Sequence, residues 1–355
     1  MGLFSSKPSK QSYLGVDFGM SGVKIVELLN EKGRARLVTY AYTDFPNISS
    51  DTQPMEDADT MVALLKKMLA KAKVTTKQAI SALPSSAVFS SIISVPASSE
   101  KEIKEAVETQ ARKLIPVPLE EITLDSKTID QADAGGGKKV SRVLITGAPK
   151  TLVTRTMDVF KRAGLELLSL ETEAFAEIRS LVGKDRSSIM IIDIGAKRTN
   201  IAVVDRGVPF LNRSIATGGV AISQTISKTL GIPYEQADAM KRDIRSMQQF
   251  APTGDITPIL NTLLRPIVDE VRYSFNLYQG QSENGQQKRI DKIILTGGSA
   301  LLPRLPEFLT SLMNVNAYLG DPWARVVYPQ DLRPVLDEIG PRFTVSVGCA
   351  MRDIE

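Results

Sequence analysis

No histidine occurs anywhere in the chain, and there is one cysteine, Cys349, and one tryptophan. Without histidine there is no Ser-His-Asp or Cys-His nucleophile, no histidine-ligated zinc and no imidazole switch near neutral pH. A single cysteine cannot close an internal disulfide, which suits a reducing compartment. With Val345, Val347 and Ala350 around it, Cys349 reads as a small buried apolar residue rather than a reactive thiol. No apolar run reaches the roughly 18 residues that a membrane-spanning helix requires. The opening MGLFSSKPSKQS lacks the apolar stretch of a signal peptide. A dense Lys/Arg block is missing too: the net charge of +4 is spread along the chain, so nucleic acid is not an expected partner. Chemistry is left to carboxylates, lysines, hydroxyls, backbone amides and a hard metal ion.

What is present is a soluble-protein composition, 43% hydrophobic and 24% charged, in 355 residues, enough for two domains or one domain in two lobes. Residues 13–28 and 34–45 alternate apolar and polar around the turn NEKGR, which predicts antiparallel strands. Met61, Leu64, Leu65, Met68 and Leu69 predict a core-facing helix over 55–73. Two strand runs flank LPSS within 77–96. Ser99 and Glu102 form a capping box that opens a helix with Ile103, Val107, Ala111 and Leu114 on one face, stopped by Pro116 and Pro118. A strand near 120–130, a loop DQADAGGGKK, the strand SRVLITGA and a helix over 149–163 complete a small α+β unit inserted after the first helix. Near 187 the opening pattern returns: SSIMIIDIGAKRTNIAVVDRG is again an apolar strand, an Asp-x-Gly turn and a second strand, which implies two related lobes. Helices are predicted at 219–230, 234–248 and 256–279, the last strained or broken at Pro266. A strand–TGG–helix element follows, and FTVSVGCAMRDI closes the chain as a buried segment.

The paired turns carry the chemistry. Glycine lets the backbone approach a ligand, and successive N–H groups cradle an anion. Asp17 and Asp193, each ending the preceding strand, would repel a phosphate unless a divalent cation such as Mg²⁺ lay between them. Lys24 lies just past the first tip, where it can reach a phosphate. Thr199 and Asn200 at the second tip can offer a hydroxyl or an amide. Gly297 and Gly298, between a strand and a helix, leave room for a flat ring on the backbone. The same TGG recurs at Thr217–Gly219.

The segments VDFGMSGVK, IIDIGAKRTN, TGGVAISQTI and ILTGGSALLPRL resemble the phosphate-1, phosphate-2 and adenosine motifs of the actin/Hsp70/sugar-kinase ATPase superfamily. SALPSSAVFSSIISVP, EAVETQARKLIPVPLEEITLD, AGLELLSLETEAFAEIRSL and VSVGCAMR extend the resemblance over roughly 12–353 to the PilM family of type IV pilus assembly proteins, relatives of FtsA. That resemblance implies an α/β, two-lobed actin-like ATPase fold of the duplicated ribonuclease H-like kind with a small inserted α+β subdomain. It implies a flexible 1–11, a first lobe of 12–78 with 171–187, an insert of 79–170, and a second lobe of 188–355 with a small helical part at about 232–285.

It also implies site residues. Asp17 and Asp193 would face Mg²⁺, largely through water. Gly19, Met20, Ser21, Gly22 and Lys24 would hold the β-phosphate of ATP or ADP; Gly195, Ala196, Lys197, Thr199 and Asn200 would surround the γ-phosphate. Gly218, Gly219, Gly297, Gly298 and Ser299 would approach the phosphates and the adenosine, and ADAMK would place Asp238 and Lys241 on the ribose, with aspartate where the family uses glutamate. Glu173 matches the acid that orients attacking water, and any hydrolysis is expected to be slow. The implied partners are the N-terminal cytoplasmic tail of PilN, an inner-membrane protein, and other pilus assembly proteins, which would hold a cytoplasmic chain beside the inner membrane; the oligomeric state stays open. A small-molecule kinase and an FtsA-like filament protein share the superfamily. The absence of a histidine or a paired acceptor base weighs against the first, and an end at AMRDIE without a basic amphipathic tail weighs against the second.

Overall fold

The computed structural model describes residues 11–45, 56–96, 99–133, 139–243, 255–283 and 286–354. The opening alternation becomes two hairpins. β1 (Ser12–Gly19) turns at Met20–Ser21 into β2 (Gly22–Glu31), and Lys32 and Gly33, both at positive φ, turn β2 into β3 (Arg34–Asp44). Two consecutive positive-φ residues match the right-handed twist of a tight hairpin. α1 (Ala58–Lys71) starts at Asp57, whose carboxylate accepts from Thr60 N, and leads to β4 (Gln78–Leu83), parallel to β1. β1 and β2 are buried on both faces. Leu14, Val16, Phe18, Val23 and Ile25 meet Met61, Leu65 and Met68 of α1, whereas Tyr13, Val26 and Leu28 face the C-terminal helix.

The chain then leaves this sheet through a short helical turn, Ser85–Ala87. β5 (Phe89–Val95), α2 (Glu100–Leu114), β6 (Ile122–Asp133) and β7 (Lys139–Pro149) form a three-stranded antiparallel sheet, order β5-β7-β6, under one helix. The Ser99/Glu102 capping box is present, and Ile103 and Val107 seal α2 onto Ile93, Val95, Val143 and Ile145. Leu114, expected on that face, is instead 41% exposed, because the chain turns away at Ile115 into the two prolines. The expected 130–139 loop is shorter: the strands run to Asp133 and resume at Lys139.

α3 (Lys150–Ala163) returns the chain to the first sheet, and β8 (Glu166–Thr172) pairs in parallel with β4. This corrects the expected insert of 79–170. β4 and β8 are strands of the six-stranded sheet, and Val159, Phe160 and Ala163 of α3 pack with Met61 and Leu65, so only the β5–β7 stretch stands apart. α4 (Glu173–Glu177) continues into one π-helical turn, Ile178–Val182.

The second sheet repeats the first. β9 (Ile189–Ile194), β10 (Thr199–Asp205) and β11 (Val208–Ile215) are antiparallel, like β1–β3. α5 (Gly219–Leu230) and α6 (Tyr234–Met240) follow. α6 is shorter than the expected 234–248, of which 244–248 lie outside the described residues. α7 (Thr257–Gln279) runs through Pro266 without the break that was one of the two expected outcomes; Leu263, Leu264, Ile267 and Val268 on either side are buried and hold the helix down across the missing N–H. After the two-residue strands β12 (Ser282–Glu283) and β13 (Gln286–Gln287), β14 (Lys292–Thr296) pairs in parallel with β9, as β4 does with β1. α8 (Leu305–Met313) and β15 (Ala317–Leu319) complete the order β11-β10-β9-β14-β15.

The end of the chain crosses back. β16 (Val326–Val327) pairs with β3, and α9 (Arg333–Met351) lies on β1 and β2, with Trp323, Phe343, Val347 and Met351 in the core beside Tyr13, Val26 and Leu28. A second lobe of 188–355 is therefore too long: this last stretch belongs to the first sheet, which needs it to cover one apolar face.

Candidate functional site

The two Asp-x-Gly turns lie at the same place in the two sheets and face each other. Asp17 on β1 stands opposite Lys24 on β2, with Lys24 Nζ 3.2 Å from Asp17 Oδ2 and both side chains buried. Lys24 Nζ also reaches back to Gly22 O at 3.3 Å, so the ammonium closes the base of the hairpin beneath Met20 and Ser21. The tightness explains two glycines. A Cβ on Gly19 would sit 2.5 Å from Lys24 Nζ, and one on Gly22, at φ +155°, would sit 1.8 Å from Thr43 O.

Asp193 lies near the end of β9 as Asp17 lies near the end of β1. Burial, and next the charge of Asp17, push its carboxyl up to about 6 against the pull of Lys24 and the Asn200 amide. Two carboxylates thus share one ammonium. A hard divalent cation fits that imbalance: Mg²⁺ takes one or two carboxylates and fills the rest of its octahedron with water and phosphate oxygens. Among the described residues no group of three or more His, Cys, Asp or Glu could hold a metal ion unaided, so the donor set fits a cation shared with water and a ligand.

Glu173 opens α4 between the turns. Its Oε2 accepts from Ser85 N at 2.7 Å and from Asn200 Nδ2 at 3.2 Å. Burial of the carboxyl, and next the charge of Asp193, push it up to about 8. One turn later lies Glu177, buried, with an Oε1 that has no hydrogen-bond partner. Burial, then Asp193, Glu173 and Asp17, push this carboxyl well above its ordinary value. Sequence reasoning passed over Glu177. The available signal was an acid one helical turn after Glu173 and set among Ala174, Phe175, Ala176 and Ile178.

The second turn is held from within the protein. Gly195 N donates to Arg198 O at 2.9 Å, and the carbonyls of Gly195 and Ala196 accept from Gly219 N at 2.9 Å and Val220 N at 2.8 Å. The first amides of α5 therefore point into the turn. Gly218 is glycine for packing, since a Cβ there would lie 2.6 Å from Gly195 O and 2.8 Å from Ala196 O. Thr199, expected to offer its hydroxyl to phosphate, donates it to Thr217 O at 2.7 Å. Asn200 is engaged at both ends: its Oδ1 accepts from Ser214 Oγ at 2.7 Å and its Nδ2 donates to Glu173. Lys197 remains half-buried at the tip.

On the other side of α5, Lys241 Nζ is buried and donates to Asp238 Oδ1 at 2.7 Å, Ser223 Oγ at 2.8 Å and Gly219 O at 3.1 Å. Burial lowers the Lys241 pKa, partly offset by Asp238. With all three ammonium protons engaged, this pair needs a rearrangement to reach a ribose. Ser299 borders the same cluster, its Oγ 3.4 Å from Gly195 O. Gly297, at φ +86°, lets β14 close on the acid: a Cβ there would lie 2.2 Å from Asp193 Oδ1. Gly298 differs in facing open space, its nearest neighbour being the stem of Arg342 at 3.7 Å from an added Cβ. Arg342, absent from the expected set, stacks 4.8 Å over the Tyr42 ring and pairs with Asp44.

Comparison with known proteins bears on this geometry. A family model described as Type IV pilus assembly protein PilM matches residues 15–354. A structure of a PilM–PilN type IV pilus biogenesis complex superposes with a TM-score of 0.80 at 24% identity, covering 97% of this chain and 98% of that one. The ethanolamine utilization protein EutJ from Carboxydothermus hydrogenoformans gives 0.54 at 16% identity, over 96% and 89%. MreB5 of Spiroplasma citri, bound to ADP, gives 0.53 at 14% identity, over 96% and 95%. The fold is the two-lobed, actin-like α/β fold, with the small sheet of β5–β7 inserted in the first lobe.

Proposed function

The chain belongs to the PilM family of type IV pilus assembly proteins, and on that premise we propose that it is a scaffold switched by nucleotide. Mg-ATP or Mg-ADP would bind between the two lobes, and the N-terminal tail of a PilN-like inner-membrane protein would bind beside the inserted sheet. The observation that carries the nucleotide half is the pair of carboxylates, Asp17 buried and Asp193 part-buried, facing each other from two matching glycine turns with the Lys24 ammonium beside them. Bound Mg²⁺ would supply charge compensation between these carboxylates and a polyphosphate. Lys24 would add a point charge at the first tip, and Gly298 would leave room for the base. The peptide half is supported by the family and by an open strand: β8 ends the six-stranded sheet, with Leu168 39% exposed on it. An extended tail can order on such an edge through backbone hydrogen bonds and a few apolar contacts.

Calorimetric titration tests the reading. Mg-ADP is expected to bind the intact chain. Asp17→Ala and Asp193→Ala should each weaken binding at least tenfold while the far-ultraviolet dichroism stays unchanged. A labelled tail peptide from the same organism's PilN-like protein should bind with an affinity that shifts when Mg-ATP is added. Unchanged nucleotide affinity in both variants would move the site elsewhere, and no peptide binding would remove the scaffold.

A further inference from the structure

Glu173 holds two parts of the molecule at once. Building on the nucleotide reading above, we propose that Glu173 is a positioning residue that ties the second glycine turn to the root of the inserted sheet, so that occupancy of the cleft is felt at β5. The observation is a continuous set of hydrogen bonds. Within the turn, Arg198 Nε donates to Ser214 Oγ at 3.0 Å, Ser214 Oγ donates to Asn200 Oδ1 at 2.7 Å, and Asn200 Nδ2 donates to Glu173 Oε2 at 3.2 Å. The same oxygen takes Ser85 N at 2.7 Å, and the Ser85 hydroxyl bonds the carboxyl more weakly. Ser85 is buried and begins the short helical turn through which the chain leaves β4 for the insert.

The parts joined belong to different units. Arg198 sits in the second turn, Asn200 and Ser214 on the second sheet, Glu173 on the helix between the sheets, and Ser85 at the base of the insert. The Ser85–Ala87 turn and β5 also lie directly against β11, so the root of the insert touches both lobes. Asn200 suits its place because it accepts from a hydroxyl at one end and donates to a carboxyl at the other. A nucleotide that draws the second turn toward Asp17 moves Asn200, and Glu173 Oε2 then either follows it or keeps Ser85 alone. A desolvated acceptor that loses a donor carries a penalty, so the turn at Ser85 responds.

Ser85→Pro tests the link. It deletes the N–H, and the site accepts proline: Pro84 lies at φ −57°, ψ 128°, the region a following proline requires, and residue 85 is the first of its helical turn. Hydrogen exchange of residues 86–95 is measured with and without Mg-ADP, alongside Mg-ADP affinity. In the natural protein Mg-ADP should slow exchange in this segment severalfold. Ser85→Pro should bind Mg-ADP within twofold of the natural protein and lose the response, while Ser85→Ala, which keeps the N–H, should retain most of it. Ser214→Ala breaks the chain at its far end and should also lose the response while the protein stays folded. A full response in Ser85→Pro or Ser214→Ala, an equal loss in Ser85→Pro and Ser85→Ala, or no response in the natural protein would each overturn the proposal. Failure of Mg-ADP to bind the natural protein is a separate result, and it would remove the nucleotide reading itself.

Discussion

Three carboxyls around the cleft are held above their ordinary pKa, and the consequence is a pH-dependent stability. Asp193 titrates at about 6 and Glu173 at about 8 in the folded chain. Unfolding returns both to ordinary carboxylate values near 4. Between about 4 and these raised values the folded chain binds more protons than the unfolded one, so stability falls as pH rises through that window. Glu177 is the sharpest case, because Oε1 has no partner to offset its burial. Glu177→Gln keeps the shape and removes the latent charge. It should raise the melting temperature by roughly 2–5 °C at pH 8, given about 2–4 °C per kcal/mol in proteins of 150–250 residues and a smaller shift in larger ones, and by much less at pH 4.5. An equal gain at both pH values would show that ionisation is not the cause, and a loss at pH 8 would mean that the carboxylate has found a cation. The two turns that carry Asp17, Lys24 and Asp193 could be read from the sequence because an Asp-x-Gly turn is local: five to eight residues contain it. The hydrogen bonds of Thr199 and Asn200 could not be read locally, because their partners, Thr217, Ser214 and Glu173, lie 14 to 27 residues away. Glu177 was missed because an unpaired buried oxygen is a property of packing.

At the scale of elements, α9 is fixed by two glycines, one in the helix and one in the sheet. A Cβ on Gly348 would fall 1.9 Å from Ala176 O of α4, and a Cβ on Gly15 of β1 would fall 1.8 Å from Ser346 O of α9. Backbone meets backbone in both places, so no rotamer can relieve an added methyl. Ser180 Oγ, donating to Thr344 O at 2.9 Å, and Arg179, donating to Gly348 O at 2.7 Å, hold the same crossing. Gly348→Ala should therefore cost about 3 kcal/mol or more in urea unfolding. Gly164→Ala is the contrast: residue 164 sits at φ +82° with nothing within 4 Å of an added Cβ, so the cost is backbone strain alone, about 1 kcal/mol. Equal costs would show that α9 can slide on α4. The pattern that predicts elements also shows its limit here. Periodicity located α1 and α2, because each buries one stripe. It could not say which sheet a strand would join, so β4, β8 and β16 were assigned to the wrong unit. Nor could it show that buried residues flanking Pro266 would keep α7 whole.

At the scale of the molecule, the inserted sheet is a unit with its own core. Ile93, Val95, Ile103, Val107, Val143 and Ile145 pack with one another, and Ala111, Ile115 and Ile122 form a second small cluster. Neither cluster includes a residue of β1, β4, β8 or α1. The chain enters and leaves the unit through neighbouring strands, for Phe89 and Gly147 are paired across β5 and β7. Paired residues on adjacent antiparallel strands lie about 5 Å apart, a span that a two-residue glycine turn can close. Replacing residues 89–147 by Gly-Gly should thus leave both large sheets folded, with Asp17, Lys24, Asp193 and their turns undisturbed. The shortened protein should still gain melting temperature from Mg-ADP, because the nucleotide binds only the folded form. It should fail to capture the tail peptide, if the insert supplies one wall of that groove. Loss of Mg-ADP stabilisation in a folded deletion protein would show that the insert shapes the nucleotide cleft. Peptide captured at undiminished affinity would place the groove wholly on the first sheet, with the open edge of β8 as its remaining candidate.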